Sequence, residues 1–310
     1  MSLSTSAPLI PTITVLTAPD WQDYELLDCG YGQKLERYGA YRLLRPEPEA
    51  VWKPALPEKY WRDAHARFIP SPEENGGHWE TLKSLPERWQ MDYKGLKFWV
   101  QTTASRHLGV FPEQACQWDW AEDHIKAAGR PLKVLNLFGY TGLASLAAAR
   151  AGAFVTHLDA SRKVVGWARE NQQASGISES SIRWIIDDAL KFVEREARRN
   201  SRYDGLILDP PKFGRGPKGE VWEFYKLLPN LLSACRDVLS EKPQFIVMTA
   251  YAVKASAVTL HYALQEITGH LDGQVTAGEV ALQEKSAGRI LSTAIYARWS
   301  ASSKTKSPQG

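Results

Sequence analysis

Between residues 112 and 250, apolar stretches of two kinds alternate along the chain. Short runs rich in Val, Ile, Leu and Phe have the length and composition of buried strands: Lys133–Phe138, Phe154–Asp159, Ile182–Ile186, Tyr203–Asp209 and Gln244–Ala250. Longer segments, with apolar residues spaced as on one helix face, flank and separate them: Pro112–Gly129, Thr141–Gly152, Arg162–Gly176, Ala189–Arg199 and about Glu220 to Leu239. Repeated strand–helix units of this length predict a Rossmann-like α/β domain, a mostly parallel sheet with helices on both faces. The pattern then changes: Gly273–Leu282 and Ile290–Trp299 read as two strands joined by Gln283–Arg289, a terminal hairpin that brings in an antiparallel strand.

Before Arg106 the texture is different. Short β-like pieces, such as Tyr41–Leu44 and Lys97–Val100, are broken by Pro and Gly. Arg45–Trp61 holds Pro46, Pro48, Pro54 and Pro57, which exclude a long helix because each lacks an amide donor and crowds the preceding turn. The expected organisation is a small β-rich region over residues 1–105, assigned to substrate recognition, an α/β domain over 106–300, and a disordered tail over 301–310. Met1–Pro11, rich in Ser, Thr and Pro, reads as a second frayed tail.

A chain of 310 residues has room for this arrangement, and 44% hydrophobic with 24% charged residues is ordinary for a globular protein. No apolar run approaches the ~20 residues that cross a bilayer, and the first ten lack a basic leader. The expectation is a cytoplasmic protein without a membrane partner. Cys29, Cys116 and Cys235 form neither a disulfide framework nor a metal-ligand set. A net charge of +3 permits a nucleic-acid partner without requiring one. Eight of the 12 tryptophans precede residue 121, which places them in the core of the N-terminal region and its junction with the next domain.

The chemistry is expected at the carboxyl ends of the strands, where open α/β sheets hold ligands. The first strand runs into Asn136, Leu137, Phe138, Gly139, Tyr140, Thr141 and Gly142 and then a helix, so that glycines let the backbone approach a ligand beside unpaired helix amides. At this first strand–helix turn the dinucleotide pattern G-x-G-x-x-G is missing, which counts against a nicotinamide cofactor. Asp159, followed by Ala160 and Ser161, ends the second strand and can accept from both hydroxyls of a ribose, or cap the next helix. Asp187, Asp188 and Ala189 end the third; Asp188 can accept from an adenine amine, cap its helix, or do both. The fourth ends in Asp209, Pro210, Pro211, Lys212 and Phe213. Two prolines there hold Asp209 as a fixed acceptor, and Phe213 is available to stack on a planar group. Lys212, Arg215, Lys218, Lys285 and Arg289, with Arg198, Arg199 and Arg202 opposite, are candidate phosphate contacts.

In NLFGYTG, LDAS, DDALKF and LDPPKF, and in HLGVFPEQ before the first strand, the sequence resembles the bacterial large-subunit ribosomal RNA methyltransferases that modify cytosine C5 or guanine N7. That resemblance implies S-adenosylmethionine as cofactor, with Phe138, Gly139, Thr141, Asp159, Asp188 and Asp209 lining its site and Gln114 nearby. It also implies RNA, ribosomal by class, as the partner. One departure matters. Cytosine C5 must be activated by a thiolate, and relatives with that activity carry a cysteine just after the fifth strand, where this chain has Val247–Tyr251. C5 is therefore disfavoured, and the expected acceptor is a base nitrogen. The alternatives are a protein or a small molecule as acceptor, or an RNA-binding protein without catalysis.

Overall fold

The computed structural model describes residues 10–18, 21–72 and 76–302. Most of the two expected tails, residues 1–9 and 303–310, lies outside them. Ala301 closes a strand instead of opening a tail.

The first segment is β1 (Ile13–Thr17). A five-stranded sheet follows, built from β2 (Tyr24–Gly30), β3 (Gln33–Tyr38), β4 (Tyr41–Pro46), β5 (Ala66–Pro70) and β6 (Gly77–Thr81), with the short helix α1 (Glu58–Arg62) between β4 and β5. The hairpin of β7 (Arg88–Tyr93) and β8 (Leu96–Gln101) completes the N-terminal region. Of the eight tryptophans expected in this region and its junction, Trp21, Trp89 and Trp118 are buried in the core and Trp52, Trp79 and Trp120 pack against it. Trp21 stacks on Tyr93 at 4.5 Å and lies 6.1 Å from Trp118, and none of the eight is exposed.

From there strands and helices alternate: α2 (Ala115–Ala127), β9 (Lys133–Leu137), α3 (Leu143–Arg150), β10 (Phe154–Asp159), α4 (Arg162–Ala174), β11 (Ile182–Ile186), α5 (Ala189–Arg198) and β12 (Gly205–Leu208). Next come β13 (Phe213–Arg215), β14 (Val221–Glu223), α6 (Phe224–Asp237), β15 (Phe245–Ala250), α7 (Ala257–Thr268), β16 (Gly273–Gln283) and β17 (Ile290–Ala301). The eight-stranded sheet has the order β1-β16-β17-β15-β12-β9-β10-β11. Strands β15, β12, β9, β10 and β11 are parallel, and β17 is wedged antiparallel between β15 and β16. Chain order reverses at β9/β12, the switch point where such sheets open a ligand crevice.

Three features depart from the sequence reading. The helix expected from Glu220 begins at Phe224, because Val221–Glu223 pairs antiparallel with Phe213–Arg215. Helix α7 had not been expected. Strand β1 leaves the N-terminal region and pairs parallel with β16, so the two regions share a sheet and are not cleanly divided at residue 105.

Candidate active site

The loop after β9 combines three unusual backbone positions. Phe138 (φ 58°) and Tyr140 (φ 50°) are left-handed non-glycine residues, and Gly142 (φ 87°) precedes α3. Strain of this kind persists only where the surroundings impose it, and it clusters at ligand sites. Gly139 has a packing cause: a Cβ there would lie 2.3 Å from Cε1 of His157. His157 is buried and bonded at Nδ1 to the Ser145 hydroxyl at 2.9 Å, which also accepts from Asn136 at 2.8 Å. Burial drives its pKa down to about 3, so a neutral ring supports the loop from below.

The next strand ends present carboxylates. Asp159 accepts from the amides of Tyr140 (3.0 Å) and Ser161 (2.9 Å). It thereby ties two strand ends together, while Ser161 caps α4 by accepting from Val164 N. Burial raises the Asp159 pKa, and the amide bonds oppose that rise. Asp188 caps α5 through Lys191 N at 3.0 Å, and Asp187 pairs with Arg195. Asp209 follows β12 and is half-buried, with no hydrogen bond to its carboxyl among the described residues. Desolvation, then the charge of buried Glu113, raises its pKa to about 7.

These groups meet in a cavity of about 400 Å³ over the carboxyl ends of the strands. Gln114, Phe138, Tyr140, Asp159, Ala160, Ser161, Asp187, Asp188, Ala189, Asp209 and Pro210 all line it. Asn136, Gly139 and Thr141 face a smaller adjoining pocket, which also shares Gln114, Phe138, Tyr140 and Asp209. Gly142 reaches neither among the described linings. Asn136 and Thr141 have their side chains committed within the protein, to Ser145 and to the Gly109 carbonyl.

Two expected residues are turned away. Lys212 and Phe213 are exposed and absent from the cavity wall. Side chains alternate across the β13–β14 hairpin, so Phe213 and Arg215 share one face and Gly214 and Trp222 the other. Trp222 therefore supplies the aromatic wall expected of Phe213; its ring lies 5.0 Å from that of Phe138. Among the distant cations, Arg289 is bound to Glu284 at 2.5 Å and near Asp28 at 3.4 Å, against the N-terminal sheet. Lys285 donates its amide to Leu26 there, and Arg199 pairs with Glu196. The cations beside the cavity are Lys212, Arg215 and Lys218, all exposed.

Sequence reasoning missed the opposite wall. His107, Phe111, Tyr140 and Tyr251 form an aromatic cluster, with Phe111 5.5 Å from Tyr140 and 6.2 Å from Tyr251. Glu113 lies in the same wall. The available signal was the pair of rings His107 and Phe111, four residues apart, followed by the lone acid Glu113 just before α2. No cysteine lines the cavity. Burial pushes Cys29 and Cys235 to about 12 and Cys116 to about 11.

Five carboxyl groups (Glu113, Asp159, Asp187, Asp188 and Asp209) line this cavity, Asp187 paired with Arg195, while the Arg215 guanidinium lies over the outward-facing Phe213 ring, so the cavity suits a ligand carrying positive charge. Among the described residues no helix is long and apolar enough to cross a membrane.

A family model described as S-adenosylmethionine-dependent methyltransferase matches residues 66–258. The solved structure of the SAM-dependent methyltransferase from Agrobacterium tumefaciens is 46% identical, with a TM-score of 0.90, over 93% of this chain and 94% of that one. The ribosomal RNA large subunit methyltransferase K/L of Shewanella frigidimarina is 31% identical over 49% of this chain and 21% of its own length. The protein of that name from Shewanella sp. strain ANA-3 is 30% identical over 64% of this chain and 29% of its own. The chain thus spans less than a third of these curated relatives.

Proposed function

The chain belongs to the S-adenosylmethionine-dependent methyltransferases, and from that premise we propose that it methylates a nitrogen of a base in RNA, ribosomal RNA by preference. The carrying observation is an aromatic cavity without a thiol, holding a carboxyl that titrates near neutrality. A flat base fits against Phe111 and Tyr251, since stacking contributes ~1–3 kcal/mol per base and tolerates different sequences. Ribosomal RNA is favoured by the names of the relatives.

The residues divide the work as follows. When bound, S-adenosylmethionine supplies an activated methyl group on a positively charged sulfur. Asp159, its amide bonds fixed, would offer its remaining lone pairs to the cofactor's ribose, and Asp188, which caps α5, would accept from its adenine. Phe138 and Trp222 enclose a planar ring between the loop and the hairpin. Gly139, Tyr140 and Gln114 would hold the methionine portion, with Asn136, Ser145 and His157 bracing the loop beneath. Asp209, stiffened by Pro210 and Pro211, accepts a hydrogen bond, and where the acceptor carries a hydrogen, the proton. A pKa near 7 lets it hold that proton and release it. Lys212, Arg215 and Lys218 lie where a strand entering the cavity would pass, and they supply phosphate contacts instead of catalysis.

Radiolabelled S-adenosylmethionine incubated with separate RNA, protein and metabolite fractions tests this reading. Label is expected in ribosomal RNA. Label confined to protein or metabolites would overturn the substrate class and leave the methyltransferase assignment standing.

A further inference from the structure

A second cavity, of about 530 Å³, lies between the N-terminal region and the start of β17. It shares Tyr251 and Ala294 with the first, so the two adjoin along one wall. Building on the RNA reading, we propose that this second cavity is a subsite for a nucleotide flanking the target, with Arg106 clamping the phosphate between them.

Arg106 carries the argument. Its guanidinium lies 5.5 Å over the Tyr251 ring, beside the shared wall. No carboxylate stands within 4.0 Å of it among the described residues, and its side chain makes one long hydrogen bond, 3.5 Å to the Pro46 carbonyl. Burial pulls its pKa below the ordinary arginine range. Neighbouring Arg45 shows the contrast: it is more deeply buried and holds Glu36 with two bonds of 2.6 Å. The acid that most opposes this shift, Glu47, lies beyond ion-pair distance and is committed to Lys34, so the lost hydration of this half-buried guanidinium is only partly offset. A phosphodiester supplies the remaining charge in the two-pronged geometry a guanidinium recognises.

The remaining walls fit a nucleotide. Strand β15 ends opposite Ile295, so Ile290–Ala294 have no β partner on that side and line the cavity with backbone donors and acceptors. Such an edge can hydrogen-bond to a base. Trp52, half-buried, stands in the wall contributed by the N-terminal region, its ring held in place by its indole N–H bond to the Cys29 carbonyl at 3.0 Å and by Arg289 5.5 Å above it. The acidic residues there do not dominate: Glu47 pairs with Lys34 at 3.0 Å, and Glu49 is exposed to water. On this account the N-terminal region takes part in substrate binding through its seam with the sheet.

The test is fluorescence anisotropy of a labelled, random-sequence, single-stranded 12-mer RNA, titrated with full-length protein saturated with S-adenosylhomocysteine. Arg106→Gln should raise the Kd about tenfold and reduce the salt slope by about one, and Arg106→Lys should recover part of the loss. Trp52→Leu should weaken binding about threefold or more. Calorimetric binding of S-adenosylhomocysteine should be unchanged in each, and any variant that fails this is read through the other. Wild-type affinity and salt slope in both Arg106→Gln and Trp52→Leu would overturn the subsite alone. A wild-type protein that binds S-adenosylhomocysteine but no RNA would overturn the RNA reading as well.

Discussion

Replacing Asp209 with asparagine should make the protein more stable and less active, each in a pH-dependent way. A carboxyl whose pKa rises on folding favours the folded chain while protonated. That contribution is complete below the unfolded value near 3.8 and is lost as the pH climbs through about 7. Above pH 7 the folded protein therefore carries the penalty of an ionised, poorly solvated carboxylate near Glu113. A rise from 3.8 to about 7 corresponds to roughly 4 kcal/mol, and water reaching a half-buried group lowers the expected net to about 2 kcal/mol. Asparagine keeps the shape and discards the charge. At pH 8 the melting temperature of Asp209→Asn should exceed that of wild type by ~3 °C, and the margin should shrink toward pH 5. In the same protein kcat/KM should fall by ~10²-fold, and the limb of the pH–rate profile with an apparent pKa near 7 should vanish. Scanning calorimetry at pH 5, 6.5 and 8, paired with turnover, reads both. A pH-independent stability change, or near-normal turnover, would refute the role given to this carboxyl.

Other consequences follow from the same geometry. Asp159→Ala should weaken calorimetric binding of S-adenosylmethionine by ~1.5–3 kcal/mol, because charge-assisted hydrogen bonds are lost, and unchanged affinity would remove Asp159 from the cofactor site. Combining Cys29→Ser, Cys116→Ser and Cys235→Ala should leave turnover of the folded protein within about threefold, since a thiol plays no part. A covalent adduct between wild-type protein and 5-fluorocytosine RNA would contradict that. Gly139→Ala should cost ~1–3 kcal/mol in denaturant melts, as the new methyl group would meet the His157 ring, and a neutral result would refute the packing argument.

The parts legible in the sequence were those governed by local grammar. Apolar runs followed by Asp159, Asp187–Asp188 and Asp209 marked strand ends because a parallel sheet needs buried strands and leaves its polar tips at one edge. The order of those strands was not legible; nothing local indicates that β17 slips between β15 and β16, or that Ile13–Thr17 joins the sheet's far edge. The exchange of Phe213 for Trp222 has a specific cause. Val221–Glu223 continues smoothly into the apolar face of α6, which hid a two-residue periodicity and, with it, the side each aromatic ring would face. The aromatic wall stayed hidden for a different reason: Tyr251 is far along the chain from His107 and Phe111, and only the closed fold brings all three beside Tyr140.

The central claim, methylation of an RNA base nitrogen at a site built around Asp209, is tested most directly by nucleoside mass spectrometry of ribosomal RNA. The RNA should come from cells lacking this protein, restored with either wild type or Asp209→Asn. The account predicts one N-methylated nucleoside that is absent without the protein, returns with wild type, and stays absent or strongly reduced with Asp209→Asn. A protein-dependent nucleoside methylated at C5 instead of nitrogen, or identical spectra in all three, would contradict it.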